Sequence, residues 1–338
     1  MGRTSTLKVD AQALAEEGRF RDAITLLTTA VRDEPNPELE RRLVELRHEA
    51  FAELVPTPRP EWPPDYPDLF AGVEGIPEID AAELDAEHLG AGILHHGSLI
   101  VRNLVPEERV QTLIADIDSA FTHHDARRDG ASLQQTMPWY AAFKPGPEYS
   151  VTFGERWWIR DGGGVWTADS PRTLIDLADT FERADLRTVL GGYLGEPPVM
   201  SVKKCTLRRV PVDSGTDWHQ DGAFLGDEIR TVNVWLTLTD CGVDAPGLDV
   251  VAQRLPQVLE TGTHGAQFDW SVGPGLVEQV AGDRVVRPRF AAGDALLFDQ
   301  RNLHRTGVSP AMTRERYAIE TWFFAPSQYP HDQIPIVL

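Results

Sequence analysis

The stretch 216–222 most constrains what this chain can fold into, because it carries His219 and Asp221 two positions apart at the end of a predicted β-strand. Side chains alternate between the two faces of a strand, so this spacing predicts that the imidazole and the carboxylate project into the same space. A third donor, His304, lies far along the chain in the segment 296–307. A fold that unites all three must bring two distant strands to one end of a sheet or barrel.

Two imidazoles and one carboxylate are typical of sites that hold Fe(II) and leave coordination positions open. A lone His-x-Asp pair is more often an exposed strand or a hydrogen-bonded histidine, so the surrounding sequence has to decide between the two interpretations. Beyond His304, an apolar and β-rich run starts at Tyr317, directly after Arg316. A guanidinium binds a carboxylate through two parallel hydrogen bonds. The order His-x-Asp, distant His, then Arg is typical of a dioxygenase that uses iron and 2-oxoglutarate.

Several segments resemble the phytanoyl-CoA dioxygenase (PhyH-like) family of Fe(II)- and 2-oxoglutarate-dependent oxygenases. They are residues 218–221, the predicted strand 232–238, residues 293–298 ahead of His304, and Arg316 with Ala318 and Ile319 after it; a weaker match covers 100–108. The resemblance spans about residues 88–326. It implies a double-stranded β-helix (jelly-roll or cupin-like) barrel, mainly β with flanking helices, and the short strands with Gly and Pro turns favour the same fold.

The resemblance implies that His219, Asp221 and His304 are the iron ligands and the catalytic centre. The cofactors would be Fe(II), 2-oxoglutarate and O₂. The implied reaction is hydroxylation of an unactivated C–H bond of a small molecule, for example a natural product, an amino acid or a carrier-bound group, with release of succinate and CO₂. Desaturation or cyclisation stays open. Two other interpretations also stay open, namely an inactive barrel with a helical partner-binding module, and a metal hydrolase that uses the same three residues.

Three further residues receive roles from the resemblance. Arg316 would pair with the distal carboxylate of 2-oxoglutarate, Thr306 would help to hold the same end, and Gln220 would line the co-substrate pocket. Arg314 is the alternative to Arg316, because both arginines follow His304 at a suitable distance. On the strand before the motif, Lys204, Thr206 and Arg208 share one face, and a solvent-exposed edge is the favoured environment for the lysines.

The N-terminal part of the chain predicts a separate unit. Residues 1–54 contain three helical patterns, and the segment from Gly18 to Pro35 matches half of a tetratricopeptide repeat. Only one copy is found, so the helices are expected to dock on the catalytic domain or to mediate a dimer or partner contact. The prolines from Pro56 to Pro67 predict an extended linker over 55–67, and the dioxygenase domain would cover 68–338.

Composition limits the partners. The formal net charge of −20 argues against nucleic acid, because phosphate binding needs a basic surface. The sequence has no apolar run of about 18 residues, so no membrane span is predicted. Cys205 and Cys241 fall in strand-like segments without zinc-type spacing, which favours buried free thiols in a reducing cytoplasm.

Overall fold

The computed structural model describes residues 3–57, 61–330 and 332–338. Pro58 and Pro60 of the predicted linker lie outside the described residues. None of the helices in the described ranges is long and apolar enough to cross a membrane. The helices of four residues or more are α1 (Arg3–Glu16), α2 (Phe20–Asp33), α3 (Pro37–Glu49), α4 (Ala86–Ala91), α5 (Glu107–Arg128), α6 (Leu133–Thr136), α7 (Phe153–Asp161), α8 (Pro171–Arg183), α9 (Leu186–Leu194), α10 (Gly222–Leu225) and α11 (Pro274–Ala281), apart from short 3₁₀ and π turns.

The strands form two sheets. They are β1 (Glu78–Asp80), β2 (Ser98–Arg102), β3 (Gly164–Trp166), β4 (Val199–Val210), β5 (Thr231–Thr237), β6 (Gly247–Val251), β7 (Val285–Val286), β8 (Ala295–Phe298), β9 (His304–Gly307), β10 (Arg316–Phe324) and β11 (Pro335–Val337). The 8-stranded sheet has the order β1-β2-β8-β5-β10-β4-β11, with β3 also paired to β4, and the 3-stranded sheet has the order β7-β6-β9. Only β1 and β2 pair in parallel; the other strand pairs in the described residues are antiparallel.

The two faces of the large sheet bury different cores. One face packs against helices α4, α5, α8 and α9, and the strands contribute Leu99, Val234, Leu297, Ile319 and Phe323 to that core. The other face turns toward the small sheet, and the core between them contains Ile100, Trp235, Leu248, Phe298 and Trp322. The period-two alternation of β-strands explains why neighbouring residues divide between the two cores. The predicted barrel with flanking helices is therefore present, although helices hold more of the residues than strands.

Most predicted elements appear close to their expected positions. The predicted strands at 200–209, 232–238 and 317 onward correspond to β4, β5 and β10. The helix pattern between Pro171 and Leu194 is divided into α8 and α9, because Asp185 adopts a left-handed conformation with φ of 51°. That break lets both short helices lie against the large sheet with their apolar faces buried.

Helices α2 and α3 of the N-terminal segment contact helix α8 and strand β11. Glu40 of α3 is buried and accepts hydrogen bonds from Arg172 of α8, while Arg32 of α2 reaches Asp179 across the surface. His48 contacts the backbone carbonyl of Pro335 beside β11. These contacts fit the expected docking of the helices. The boundaries 1–54, 55–67 and 68–338, and the repeat-like nature of the first unit, stay predictions.

A pair of aspartates between α5 and α8 gives folding stability a pH dependence. Burial, followed by the nearby carboxylate of Asp176, raises the pKa of Asp116 from 3.8 to about 7. Between these two pH values the folded protein binds more protons than the unfolded chain, so the free energy of unfolding falls as pH rises and the loss is complete above about pH 7.

We therefore expect Asp116→Asn to raise the free energy of unfolding at pH 8 by about 3 kcal/mol, and to lose most of this advantage near pH 4. Urea unfolding at the two pH values measures the difference. Asp129→Asn, which alters an exposed carboxylate just beyond the same helix, should change the free energy by less than about 0.5 kcal/mol at either pH. A benefit from Asp116→Asn that is equal at pH 8 and pH 4 would contradict this account.

Candidate metal centre

His219 and His304 lie opposite each other on two adjacent extended segments. Each residue's backbone N–H donates to the other's carbonyl at 3.0 Å, which is an antiparallel bridge at the edge of the small sheet. The facing side chains of such a pair lie on the same side, and the two imidazole centroids are 4.5 Å apart. The sheet thus brings together two histidines that are distant in the sequence.

Asp221 reaches the same space by a different route from the one expected. The predicted strand would run through it, but Asp221 has α-helical dihedrals and precedes α10. Its carbonyl accepts from the N–H groups of Phe224 and Leu225, and Gly222 donates to the carbonyl of Gln300. The carboxylate still converges on the two imidazoles.

The three side chains could hold one metal ion. A ligand atom from each of His219, Asp221 and His304 lies within 4.8 Å of the others, and this is the candidate metal-binding group found among the described residues. Each imidazole directs Nδ1 at a backbone carbonyl, at 2.9 Å for Asp217 and 3.2 Å for Asn302. An Nδ1–H donated to a carbonyl leaves the lone pair on Nε2, and metal-bound histidines are commonly oriented by a hydrogen bond of this kind from the other ring nitrogen.

The charge states also suit a divalent cation. Burial lowers the pKa of His304 to about 4, which keeps its imidazole neutral. Burial alone would raise the pKa of Asp221, but the Lys204 ammonium outweighs burial, and the pKa is lowered to about 2. The residues therefore offer two nitrogen donors and one anionic oxygen donor, and this donor set fits Fe(II).

Lys204 belongs to the centre, although a solvent-exposed edge was the expectation. Its ammonium donates to Oδ1 of Asp221 at 2.7 Å, while Oδ2 faces Nε2 of His304 at 3.7 Å. The alternation along β4 already grouped Lys204 with Thr206 and Arg208. The sequence alone does not show that this face of β4 lines the barrel interior, where Arg208 pairs with Glu320.

The two candidate arginines have contrasting environments. Arg316 is 2% exposed, and one of its terminal nitrogens donates to the carbonyls of Pro246 and Gly247. Its Nε lacks a hydrogen-bond partner, and no carboxylate of the described residues lies within 4.0 Å. Arg314 has a side chain that is 54% exposed, and it pairs with Asp244 on the surface. Only Arg316 reaches the barrel interior.

Two more polar groups on the same inner face lack partners among the described residues. Oδ1 of Asn233 and Nε1 of Trp235 are buried without a hydrogen bond. These residues of β5 oppose Trp322 and Glu320 of β10, and the Arg316 guanidinium lies 5.2 Å from the Trp235 ring. Buried polar groups are normally hydrogen-bonded, so three unpaired ones on one face point to a polar ligand in the barrel.

Gln220 uses its side-chain amide in contacts with a neighbouring loop, and its place beside the co-substrate stays a prediction. Its side-chain amide donates to the carbonyls of Gln257 and Arg301 and accepts from the N–H of Leu259. Both ends of the amide are thus used to fix a neighbouring loop, because Gln220 points away from the face of His219. Thr306 shares the inner face of β9 with His304, next to Gly307, which pairs with Gly247 beside the Arg316 guanidinium.

Comparison with known proteins agrees with the fold. Residues 177–314 match the family model for phytanoyl-CoA dioxygenase (PhyH), a range that contains His219, Asp221 and His304 and ends before Arg316. This segment of the chain is similar to the PhyH family. The family resemblance and the double-stranded β-helix fold inferred from the sequence are thereby confirmed.

Several solved structures resemble a large part of this chain. The structure of EctD from S. alaskensis with 2-oxoglutarate and 5-hydroxyectoine has 16% identity and a TM-score of 0.50, and covers 78% of this chain and 88% of that chain. AviO1 from Streptomyces viridochromogenes Tue57 has 18% identity, a TM-score of 0.46 and coverage of 73% and 98%. The non-heme alpha ketoglutarate dependent carbocyclase SnoK from nogalamycin biosynthesis has 14% identity, a TM-score of 0.46 and coverage of 73% and 86%. No curated protein matches the chain.

Proposed function

We propose that this protein is an Fe(II)- and 2-oxoglutarate-dependent dioxygenase that hydroxylates an unactivated C–H bond of a small molecule. His219, Asp221 and His304 are the iron ligands in this proposal. Arg316, with Thr306 beside it, anchors the distal carboxylate of 2-oxoglutarate. The catalytic barrel corresponds to residues 68–338, and the protein acts in the cytoplasm on a substrate that is free or carrier-bound.

The observation that carries the proposal is the buried guanidinium of Arg316, in the same barrel as the His219, Asp221 and His304 cluster. Its Nε is unpaired, and no carboxylate of the described residues lies within 4.0 Å of it. A buried charge without a counter-charge is costly, so a site that retains one is built for an anion. Burial also lowers the pKa of Arg316, although arginine stays protonated in proteins. A dicarboxylate co-substrate has one end for the metal and one for this arginine. The EctD structure, which has the same fold, contains 2-oxoglutarate.

The side chains around the centre have separate tasks in the reaction. Bound iron would supply the activation of O₂, with 2-oxoglutarate oxidised to succinate and CO₂. His219 and His304 present Nε2 because the backbone carbonyls of Asp217 and Asn302 hold Nδ1. The ring of Phe298 lies 4.8 Å from that of His304 and, with Trp322, keeps water from this side of the centre.

The experiment that tests the function is anaerobic titration of the protein with Fe(II) and 2-oxoglutarate. We expect a weak visible charge-transfer band that appears only when both are present, followed by one succinate per O₂ consumed when air is admitted. A reaction with Zn(II) alone, or the absence of the band from iron-loaded protein, would overturn the oxygenase proposal. His304→Ala is the negative control, because it removes one proposed iron ligand and should abolish the charge-transfer band.

A further inference from the structure

Three aromatic side chains form a surface beside the metal centre, and we call Phe224, Phe268 and Trp270 the aromatic wall. The rings of Phe268 and Trp270 stack with 5.1 Å between centroids and 4° between planes. Phe224 lies 5.7 Å from Trp270. Phe224 and Phe268 are 41% and 51% exposed. Among the Phe and Trp side chains whose exposure is described, only Trp158 is also exposed.

The aromatic wall touches the proposed iron ligands from two sides. The Trp270 ring meets the His219 imidazole edge to face, with centroids 5.8 Å apart. Phe224 lies under the Lys204 ammonium at 4.7 Å, and that ammonium is the one that pairs with Asp221. Exposed apolar surface of this kind marks a binding site when it is contiguous, and this patch lies where a substrate must sit to react.

The turn that carries two of the rings is fixed to the motif segment. The N–H of Val272 donates to the carbonyl of Trp218 at 2.8 Å, and the N–H of Gln267 donates to the carboxylate of Asp217 at 3.1 Å. Within the turn, the buried Ser271 hydroxyl bonds both the N–H and the carbonyl of Phe268. Because the rings are already in place, a ligand that stacks on them pays little ordering entropy.

We infer that the aromatic wall binds the substrate of the proposed dioxygenase, and that the substrate is a neutral, flat aromatic or fused-ring molecule; the word substrate here rests on the proposed function. Aromatic rings favour offset stacking or edge contact with another ring, and the outer face of the Phe268–Trp270 stack is free to continue it. Lys204 is the cation in contact with the wall and is already paired with Asp221.

The first test uses 2-naphthol as the probe on metal-free protein, so that its result does not depend on iron chemistry. Saturation-transfer NMR titrations compare it with 1-octanol, 2-naphthoate and tetramethylammonium. We expect 2-naphthol to bind at least about tenfold more tightly than each of the other three, and its affinity to fall about tenfold in the Phe268→Ala/Trp270→Ala double variant. The single variant Trp270→Phe keeps a ring at this position and should retain most of the wild-type affinity for 2-naphthol.

Trp158→Ala is the matched control, because it removes an indole that is 71% exposed and outside the wall. It should leave 2-naphthol affinity unchanged. Equal losses in Trp158→Ala and in the double variant would overturn the assignment to the wall. Equal affinity for 1-octanol would overturn the flat-ring specificity, and tighter binding of tetramethylammonium would indicate a cationic substrate instead.

A second measurement separates failure of this inference from failure of the proposed function. Paramagnetic Mn(II) added to the protein should broaden the signals of bound 2-naphthol, and His304→Ala should abolish the broadening. If Mn(II) binds and the signals stay sharp, the wall does not serve the metal centre and the inference is wrong. If 2-naphthol binds through the wall while neither Mn(II) nor Fe(II) binds, the dioxygenase proposal fails and the ring-binding surface remains.

Discussion

Replacing Arg316 with Ala is expected to raise the 2-oxoglutarate concentration needed for half-saturation of the Fe(II) complex by about 100-fold. The guanidinium is buried, and its unpaired Nε is available to the distal carboxylate. Truncating one partner of a buried charge pair costs a few kcal/mol, because the other charge is left without a counter-ion. The charge-transfer band, followed anaerobically against 2-oxoglutarate concentration, measures the effect.

Arg314→Ala is the control for Arg316→Ala, since it removes an arginine two positions away that pairs with Asp244 at the surface. Its half-saturation value should stay within about twofold of wild type. Arg316→Lys keeps the charge without the planar fork and should fall between the two. If Arg314→Ala gave the larger loss, the assignment of the anchor to Arg316 would have to be abandoned.

The sequence was sufficient for the donor set because metal chemistry restricts residue types more than backbone path. His219, Asp221 and His304 come together although Asp221 begins a helical turn instead of continuing a strand. A strand and the first turn of a helix can both deliver a side chain to the same point. The spacing therefore predicted the neighbours correctly and the local conformation incorrectly.

Roles that depend on where a side chain points in the folded protein were harder to predict. Gln220 alternates away from His219, and its amide is taken up by loop carbonyls that lie far along the sequence. Lys204 was assigned to the correct face of β4, but only the closure of the barrel shows that this face is interior. The sequence could not show that Phe224 joins Phe268 and Trp270, because Phe224 and Trp270 are remote in sequence and meet only through the turn tied to Asp217 and Trp218.

The sequence patterns predicted only part of how the N-terminal helices pack. The helical patterns in residues 1–54 predicted α1 and α2, and Ala11, Ala23 and Leu27 are buried in the core of this helical segment. The buried Glu40 gave no such signal, because its partner Arg172 lies in a distant helix. Helix periodicity identifies which face is apolar, but a charged residue on that face has to find its partner in the folded protein.

Asp221→Ala is expected to weaken Fe(II) binding by about 1000-fold, a larger change than loss of a neutral donor alone would give. The substitution removes the carboxylate from the proposed ligand set and also releases the Lys204 ammonium, which donates to Asp221 at 2.7 Å. The centre then carries an uncompensated positive charge that repels the metal ion. Anaerobic competition against a chromogenic Fe(II) chelator measures the affinity.

The electrostatic part of this effect can be separated from loss of the ligand. In Asp221→Ala/Lys204→Met the repelling charge is gone, so Fe(II) affinity should recover by about tenfold relative to Asp221→Ala while staying well below wild type. Asp213→Ala removes an exposed carboxylate from the loop that leads to the motif, and it should bind Fe(II) like wild type. Wild-type affinity in Asp221→Ala would exclude this carboxylate as a ligand. A double variant no better than Asp221→Ala would show that Lys204 orients the carboxylate without contributing to the charge balance at the metal.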